Sequence, residues 1–426
     1  LGHSLPGRLA AQAHNNPEGV ALREKNKGIW KETTWAGYLE AVRAVAAKLT
    51  DLGLGAGDRA SILSDNRTEW VFADLGIQAI GALSVGIYQT NPPEDVAYVL
   101  QDSGSALLFV EDQEQADKAI AIREDTPLLK HIVVFDPRGL RHETDPRLMS
   151  WADFIEDGRR LASQAQTSKK FDDTLLALSP EAGAMVVYTS GTTGPPKGAV
   201  LCHRNVVGPG RDAAEHLGVG PGDSLLSYLP LCHVAEKIFT LYVPLAVGAV
   251  VHFGESIATV QSDLKEVSPT VFLGVPRIWE KMGATVQLKM KDADRLKAWV
   301  YKVAMDWGRQ AAEARFKGEI SILHRLRFAL ADLLLFRPLQ EHLGLRRCRL
   351  PISGAAPISP ELLLFFHSMG VEVLEGDGQT ECAGVSHCNR PGRGILGSVG
   401  EPLPGVEQRI AEDGEILVRG DGVFTG

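Results

Sequence analysis

Long hydrophobic runs are missing from this chain. The most apolar stretch, LYVPLAVGAVVHF at 241–253, is thirteen residues long and is interrupted by Pro244 and Gly248. A helix needs about 20 apolar residues to cross a bilayer, so this segment reads as buried core. Cysteine is scarce as well. The five residues Cys202, Cys232, Cys348, Cys382 and Cys388 are odd in number, scattered and without a C-x-x-C pair. That fits reduced, intracellular thiols better than a disulfide framework. Cys382, His387 and Cys388 lie close together but lack a second pair, so no zinc site is expected there. Positive charge is in deficit, with 44 Lys/Arg against 53 Asp/Glu and a net charge of −9, which argues against a nucleic-acid partner. Internal repeats and low-complexity tracts are absent too.

What is present is an ordinary globular composition, 44% hydrophobic and 23% charged over 426 residues, enough for two or three lobes. The first 150 residues alternate helical and strand patterns, as in TWAGYLEAVRAVAAKLTDLG followed by DRASILS, which predicts parallel α/β layers. Residues 225–275 repeat the alternation. A long helical insertion is expected at about 285–342, with Leu296, Val300, Val303, Trp307 and Ala311 on one face. After Pro351 short strands and Gly/Pro/Asp turns predict a small β-rich lobe. The approximate division is 1–60 with 216–370 as one α/β lobe, 61–215 as another, and 371–426 as the small lobe. Charge is uneven along the chain. Residues 281–350 hold fifteen Lys/Arg against seven Asp/Glu, a solvated face or an anionic-surface contact.

The most chemical stretch is TSGTTGPPKG at 189–198, which follows the apolar AMVVY. It is not a P-loop, because that pattern needs glycine where Pro196 stands and a hydroxyl residue where Gly198 stands. Glycine-rich backbone after a strand nevertheless makes a nest of N–H groups for an anion. Thr189, Ser190, Thr192 and Thr193 add hydroxyl donors, and Lys197 adds a compact positive charge. A polyphosphate is the natural ligand.

This stretch resembles the phosphate-binding signature of the adenylate-forming (AMP-binding) superfamily, and three further motifs follow in the family's order. SYLPLCHVAEK (227–237) is similar to its L-P-x-x-H segment, SGAAPIS (353–359) to its G-G-A-P-L segment and GDGQTE (376–381) to its Y-G-x-T-E segment. GEILVRGDGVFTG resembles the last stretch of the family's large N-terminal adenylation domain. The resemblance implies an α/β fold of two layered lobes and a small β-barrel-like lobe. It also implies ATP-dependent activation of a carboxylic acid. The acid is already ionised at neutral pH, so the site needs charge neutralisation and alignment rather than a general base. By resemblance, Thr189, Ser190, Gly191, Thr192, Thr193, Gly194 and Lys197 hold the β- and γ-phosphates. Gly354, Ala355 and Ala356 pass under the adenine, with Asp377, Gly378 and Gln379 beside it. Thr380 touches the α-phosphate, Glu381 binds Mg²⁺, and His233 lies beside the acyl carboxylate. Thr192, Lys197, His233, Thr380 and Glu381 form the implied catalytic set.

Two features resemble the long-chain fatty acid–CoA ligase branch: the insertion, and GVPRIWEKM (274–282), whose Trp279 would gate an acyl tunnel. The implied substrates are a long-chain fatty acid, ATP and CoA. Cytoplasmic residence is expected, with peripheral membrane contact through 281–350 and a homodimer as further expectations. Two departures stand out. Asp377 occupies the aromatic position of the Y-G-x-T-E segment, where losing a stacked ring costs about 1–3 kcal/mol. The chain opens on Leu1 and stops at GVFTG before the family's ribose-binding Asp and lid domain, so it reads as a fragment of impaired activity. A fatty acyl-AMP ligase that loads a carrier protein and a degenerate acyl-binding module are the alternative readings.

Overall fold

The computed structural model describes residues 2–189 and 194–426. Valine-, isoleucine- and leucine-rich runs buried on both sides build two mostly parallel sheets with helices packed on them. The first has seven strands, in the order Leu148–Ser150, His131–Val134, Leu107–Val110, Arg59–Leu63, Leu83–Ile87, Gly183–Thr189 and Lys197–Cys202. Only the last two pair antiparallel, with Thr189 opposite Lys197 where the connection between them leaves the ladder. The second has nine strands. Its order is Glu401–Pro402, His387–Cys388, Leu374–Asp377, Leu350–Ser353, Val271–Gly274, Ser224–Ser227, Val250–Phe253, Val20–Asn26 and Ile29–Thr34. It is parallel in the middle and antiparallel at both edges.

The β-rich end departs from the barrel-like expectation. Two two-residue strands extend the edge of the large sheet, and Glu407–Ile410 and Ile416–Arg419 form a separate hairpin. Strands so short and few do not close on themselves. Among the described residues no helix is long and apolar enough to cross a membrane.

The helix Trp35–Asp51, capped by the Thr34 hydroxyl accepting from Gly37 N–H at 3.1 Å, packs on Thr68–Ala79 and Trp151–Ala162. A buried ion pair ties the sheets together. Lys237 Nζ lies 3.1 Å from Asp74 Oδ1, with 1% and 0% of the two side chains exposed, and 4.3 Å from the Trp70 ring. Asp74 also accepts from Gln78 and Ser84. Removing one partner of such a pair typically costs about 3–5 kcal/mol, because the other charge is stranded.

The insertion consists of helices Pro276–Lys291, Arg295–Phe316, Ile322–Ala331 and Arg337–Leu343. Its buried face matches the expected one only in part, at Ala311 and the partly buried Trp307. Ala304, Gly308 and Ala311 face inward on the long helix, whereas Leu296 is 70% exposed. Close approach explains the shift: a Cβ on Gly308 would stand 2.1 Å from the Ser368 carbonyl oxygen. Small residues let this helix lie directly on Pro360–Ser368, which a ridge of valine and tryptophan would prevent.

Candidate active site

A cavity of about 750 Å³ opens where both sheets end. From the first sheet, Leu83–Ile87 delivers Gly86, Ile87 and Tyr88, and Gly183–Thr189 delivers Val187, Tyr188 and Thr189. From the second, Val271–Gly274 brings Leu273, Leu350–Ser353 leads into Gly354 and Ala355, and Leu374–Asp377 leads into Gly378–Glu381. The carboxyl ends of parallel strands are where α/β folds place ligands, since connecting loops there diverge and leave a crevice.

The glycine-rich hairpin is braced from one helix. In Pro93–Ser103, Tyr98 donates its hydroxyl proton to the Pro196 carbonyl at 2.9 Å, and Asp102 accepts from the Tyr188 hydroxyl at 2.6 Å. Burial and the Asp102 carboxylate push the Tyr188 phenol upward, so it stays a neutral donor. Asp95 and Val99 of the same helix line the cavity. Lys197 is exposed at the start of the returning strand, and it, Gly194 and Ala356 lie outside the lining residues. Ser190, Gly191, Thr192 and Thr193 fall outside the described residues.

On the opposite wall, His233 caps the short helix Val234–Lys237, its Nδ1 accepting from Ala235 N–H at 3.1 Å. Burial lowers its pKa, keeping the ring neutral. With Nδ1 an acceptor, the proton sits on Nε2, leaving that N–H as a donor. Next to it, Glu236 is buried and accepts from Thr240 Oγ1 at 2.7 Å and Leu229 N–H at 3.2 Å. Burial raises its pKa to about 7 despite those bonds.

Thr380 is buried, Glu381 half-buried, and Asp377 and Gln379 exposed, all on the cavity lining. The turn is tight: a Cβ on Gly378 would stand 2.4 Å from the Gly384 carbonyl oxygen. Ala355 and Ala383 adopt left-handed φ values of 68° and 55°, a strain that often accompanies ligand-facing backbone.

The lining residues include the carboxylates of Asp95, Asp377 and Glu381 but no described lysine or arginine. A polyphosphate entering this acidic chamber needs a counter-cation. One half-buried carboxylate suits Mg²⁺, which takes one or two protein carboxylates and fills its shell with phosphate and water oxygens. The half-buried Glu381 carboxylate on the lining has the chemistry such an ion takes.

Trp279, expected from the resemblance to gate an acyl tunnel, lies in the core beside the chamber rather than on its lining. Its side chain is fully buried, outside the lining, and packs in the second hydrophobic cluster. The Phe272 and Phe366 ring centroids lie 5.7 and 5.1 Å away, and its Nε1–H donates to the Gly274 carbonyl at 2.9 Å. An indole with its polar atom satisfied and its faces covered is a core element. Tyr88, Asn91, Asp95, Ile238 and Phe239 line the cavity without having been singled out from the sequence. For Tyr88 the signal was its place directly after the strand-like run ending at Ile87.

Two sheets present their strand ends to one chamber, with Thr189 and Pro196 on one wall and a Thr-Glu turn on another, the place where α/β folds take small molecules. The chain belongs to the AMP-binding enzyme family, whose model matches residues 9–426. It is similar to the long-chain-fatty-acid–CoA ligase ACSBG2 of Mus musculus, 32% identical over all of this chain and 65% of the relative. It is also similar to the long-chain-fatty-acid–CoA ligase FadD15 of Mycobacterium bovis, 33% identical over 97% of this chain and 66% of the relative. The chain thus spans about two thirds of the length of these relatives. Its fold matches the inhibitor-bound N-terminal domain of FACL13 from Mycobacterium tuberculosis, with a TM-score of 0.72, 22% identity, and coverage of 99% of this chain and 90% of that one. The anthranilate CoA ligase AuaEII in complex with anthranoyl-AMP has a TM-score of 0.68 at 21% identity, covering 99% of this chain and 69% of that one.

Proposed function

We propose that this chain is the nucleotide- and acid-binding part of a long-chain fatty acid–CoA ligase. Its reaction joins an acid and ATP into an acyl-adenylate, then passes the acyl group to CoA. The observation that carries the reading is the single chamber onto which Thr189, His233, Gly354, Ala355 and Asp377–Glu381 converge from four separate segments. The names of the similar ligases support the substrate class.

In the first step a carboxylate oxygen of the acid bonds to the α-phosphorus, and the bond to the bridging oxygen of pyrophosphate breaks. In the second, the thiol sulfur of CoA bonds to the acyl carbon and AMP leaves with its oxygen. The hairpin 189–198 takes the outer phosphates, with Lys197 approaching them from its rim. Thr380 holds the α-phosphate through its hydroxyl. The Nε2–H of neutral His233 donates to the acid's carboxylate, orienting it for in-line attack. Glu381 would hold Mg²⁺, which when bound would supply neutralisation of charge on the phosphates. Ile87, Val187, Ile238, Phe239 and Ile352 give the acyl chain an apolar, water-excluding wall.

Calorimetric titration with a non-hydrolysable acyl-adenylate mimic tests the reading. The long-chain form is expected to bind at least about tenfold more tightly than the acetyl form, since each buried methylene contributes about 0.8 kcal/mol. Failure of both to bind folded protein would leave only the fold in common with ligases and favour a degenerate module. Asp377 on the chamber wall is the observation favouring that second reading.

A further inference from the structure

The Ile322–Ala331 helix continues without a break to Phe336 and is apolar on both sides. Its inner side is accounted for by Phe328, Ala331, Leu335 and Phe336, which pack in or against the Trp279 cluster. Its outer side carries Ile322, Leu323, Leu326, Leu330, Leu333 and Leu334, at steps of one, three, four, three and one residues. Their exposures are 78, 54, 64, 47, 60 and 60%. At 100° per residue they fall within a stripe of about 120°, so they form one continuous face. A surface helix ordinarily turns charged residues outward. Six large aliphatic side chains on one outer face make a patch that marks an interaction surface.

The surrounding charge decides among occupants. Arg325 on this helix has no ion pair among the described residues, Arg327 stands over the Trp307 ring at 6.0 Å, and Arg337 follows at the helix end, paired with Asp332. Residues 281–350 carry a local excess of eight positive charges in a chain of net charge −9. A second copy docked face to face would set like charges against each other. An anionic lipid surface receives both components, the leucines at the acyl boundary and the arginines at the phosphates.

We infer that the outer face of the 322–336 helix is a monotopic membrane-docking surface, lying in the interface of an anionic bilayer with its leucines inserted. This goes beyond the proposed ligase activity and is tested without ATP or acid. The probe is flotation of the 426-residue chain with vesicles of phosphatidylcholine alone or with a quarter phosphatidylglycerol. Binding is expected on the anionic vesicles and weakened at least about tenfold by Leu326→Ser with Leu330→Ser. Both residues are exposed, so the thermal midpoint should hold, and the folded double variant keeps the test clean. Arg325→Gln should weaken binding a fewfold and flatten its salt dependence. Absence of binding to anionic vesicles, or equal binding by the double variant, would overturn the proposal. So would a concentration-dependent dimer, abolished by the double variant, in a chain that ignores vesicles; that result assigns the face to a second copy.

Discussion

The nine-stranded sheet has two faces with opposite packing. Along Val271–Gly274, Leu273 faces the ligand chamber while its neighbour Phe272 faces Trp279, as the two-residue period of a strand requires. Leu225 and Leu226, and Leu374 and Val373, likewise divide between the two hydrophobic clusters, although Leu225 and Leu374 are covered by packed core rather than by the chamber. On one side the side chains stop short and leave about 750 Å³ open; on the other they fill the space with aromatic rings and the small-residue face of the insertion. Apolar character alone therefore says little about whether a residue binds something. What matters is whether a neighbouring element covers it.

Trp279→Ala leaves a void on the filled face and has the largest expected effect. It is expected to cost about 3–5 kcal/mol of stability by denaturant unfolding. Trp279→Phe should stay folded and leave the affinity for a long-chain acyl-adenylate mimic within about threefold. A large loss of affinity with stability kept would return Trp279 to the role of gate.

Glu236 sharpens the contrast by placing an ionisable group behind the chamber wall. Its folded pKa, near 7, lies above its ordinary value of 4.5. The native state therefore holds its proton more tightly than the unfolded state does. Its contribution is favourable below pH 4.5 and is lost as pH rises through about 7. Glu236→Gln should remove that loss, so the variant gains up to about 3 kcal/mol relative to wild type across this window. Burial lowers His203 and His252 to about 4, a change that works in the opposite direction. Both are common to the two proteins and cancel in the difference. Parallel stability–pH curves for wild type and variant would refute the assignment.

Asp377→Tyr restores an aromatic ring to the open face. Nucleotide affinity measured by calorimetry should rise about tenfold, the equivalent of roughly 1.4 kcal/mol. An unchanged affinity would mean that this position does not meet the base. The smallest effect is expected from Ala355→Gly. Relief of a φ of 68° should stabilise the protein by about 1 kcal/mol, seen as a higher thermal midpoint. A lower midpoint would show that the loop is held by packing rather than strained.

Much of the chamber was legible because its residues lie in ordered motifs whose chemistry is local. Glycines and hydroxyls for an anion can be read from a few neighbours, whereas His233, Thr380 and Glu381 stand out only through the resemblance to the family's motifs. The alternation of helices and strands likewise carries both sheets. The packing of Trp279 and the exact buried face of the insertion are not legible in the sequence, because burial is a tertiary property. Leu296, Val300 and Val303 have helical spacing, yet the face that docks is set by how close Gly308 lets two helices come. The 322–336 leucines pose the same difficulty, since spacing marks a face without saying what lies against it. Tyr88 and Asp95 belong to no motif and enter the chamber through topology alone.

The Pro93–Ser103 helix does two things at once: Tyr98 and Asp102 fasten the glycine-rich hairpin, while Asp95 and Val99 border the chamber. Genetically, this couples substrate preference to the seating of the loop. A substitution that reshapes the chamber by tilting this helix also moves the hairpin, so second-site suppressors of such changes should cluster at Tyr188 and around Pro196 rather than across the cavity.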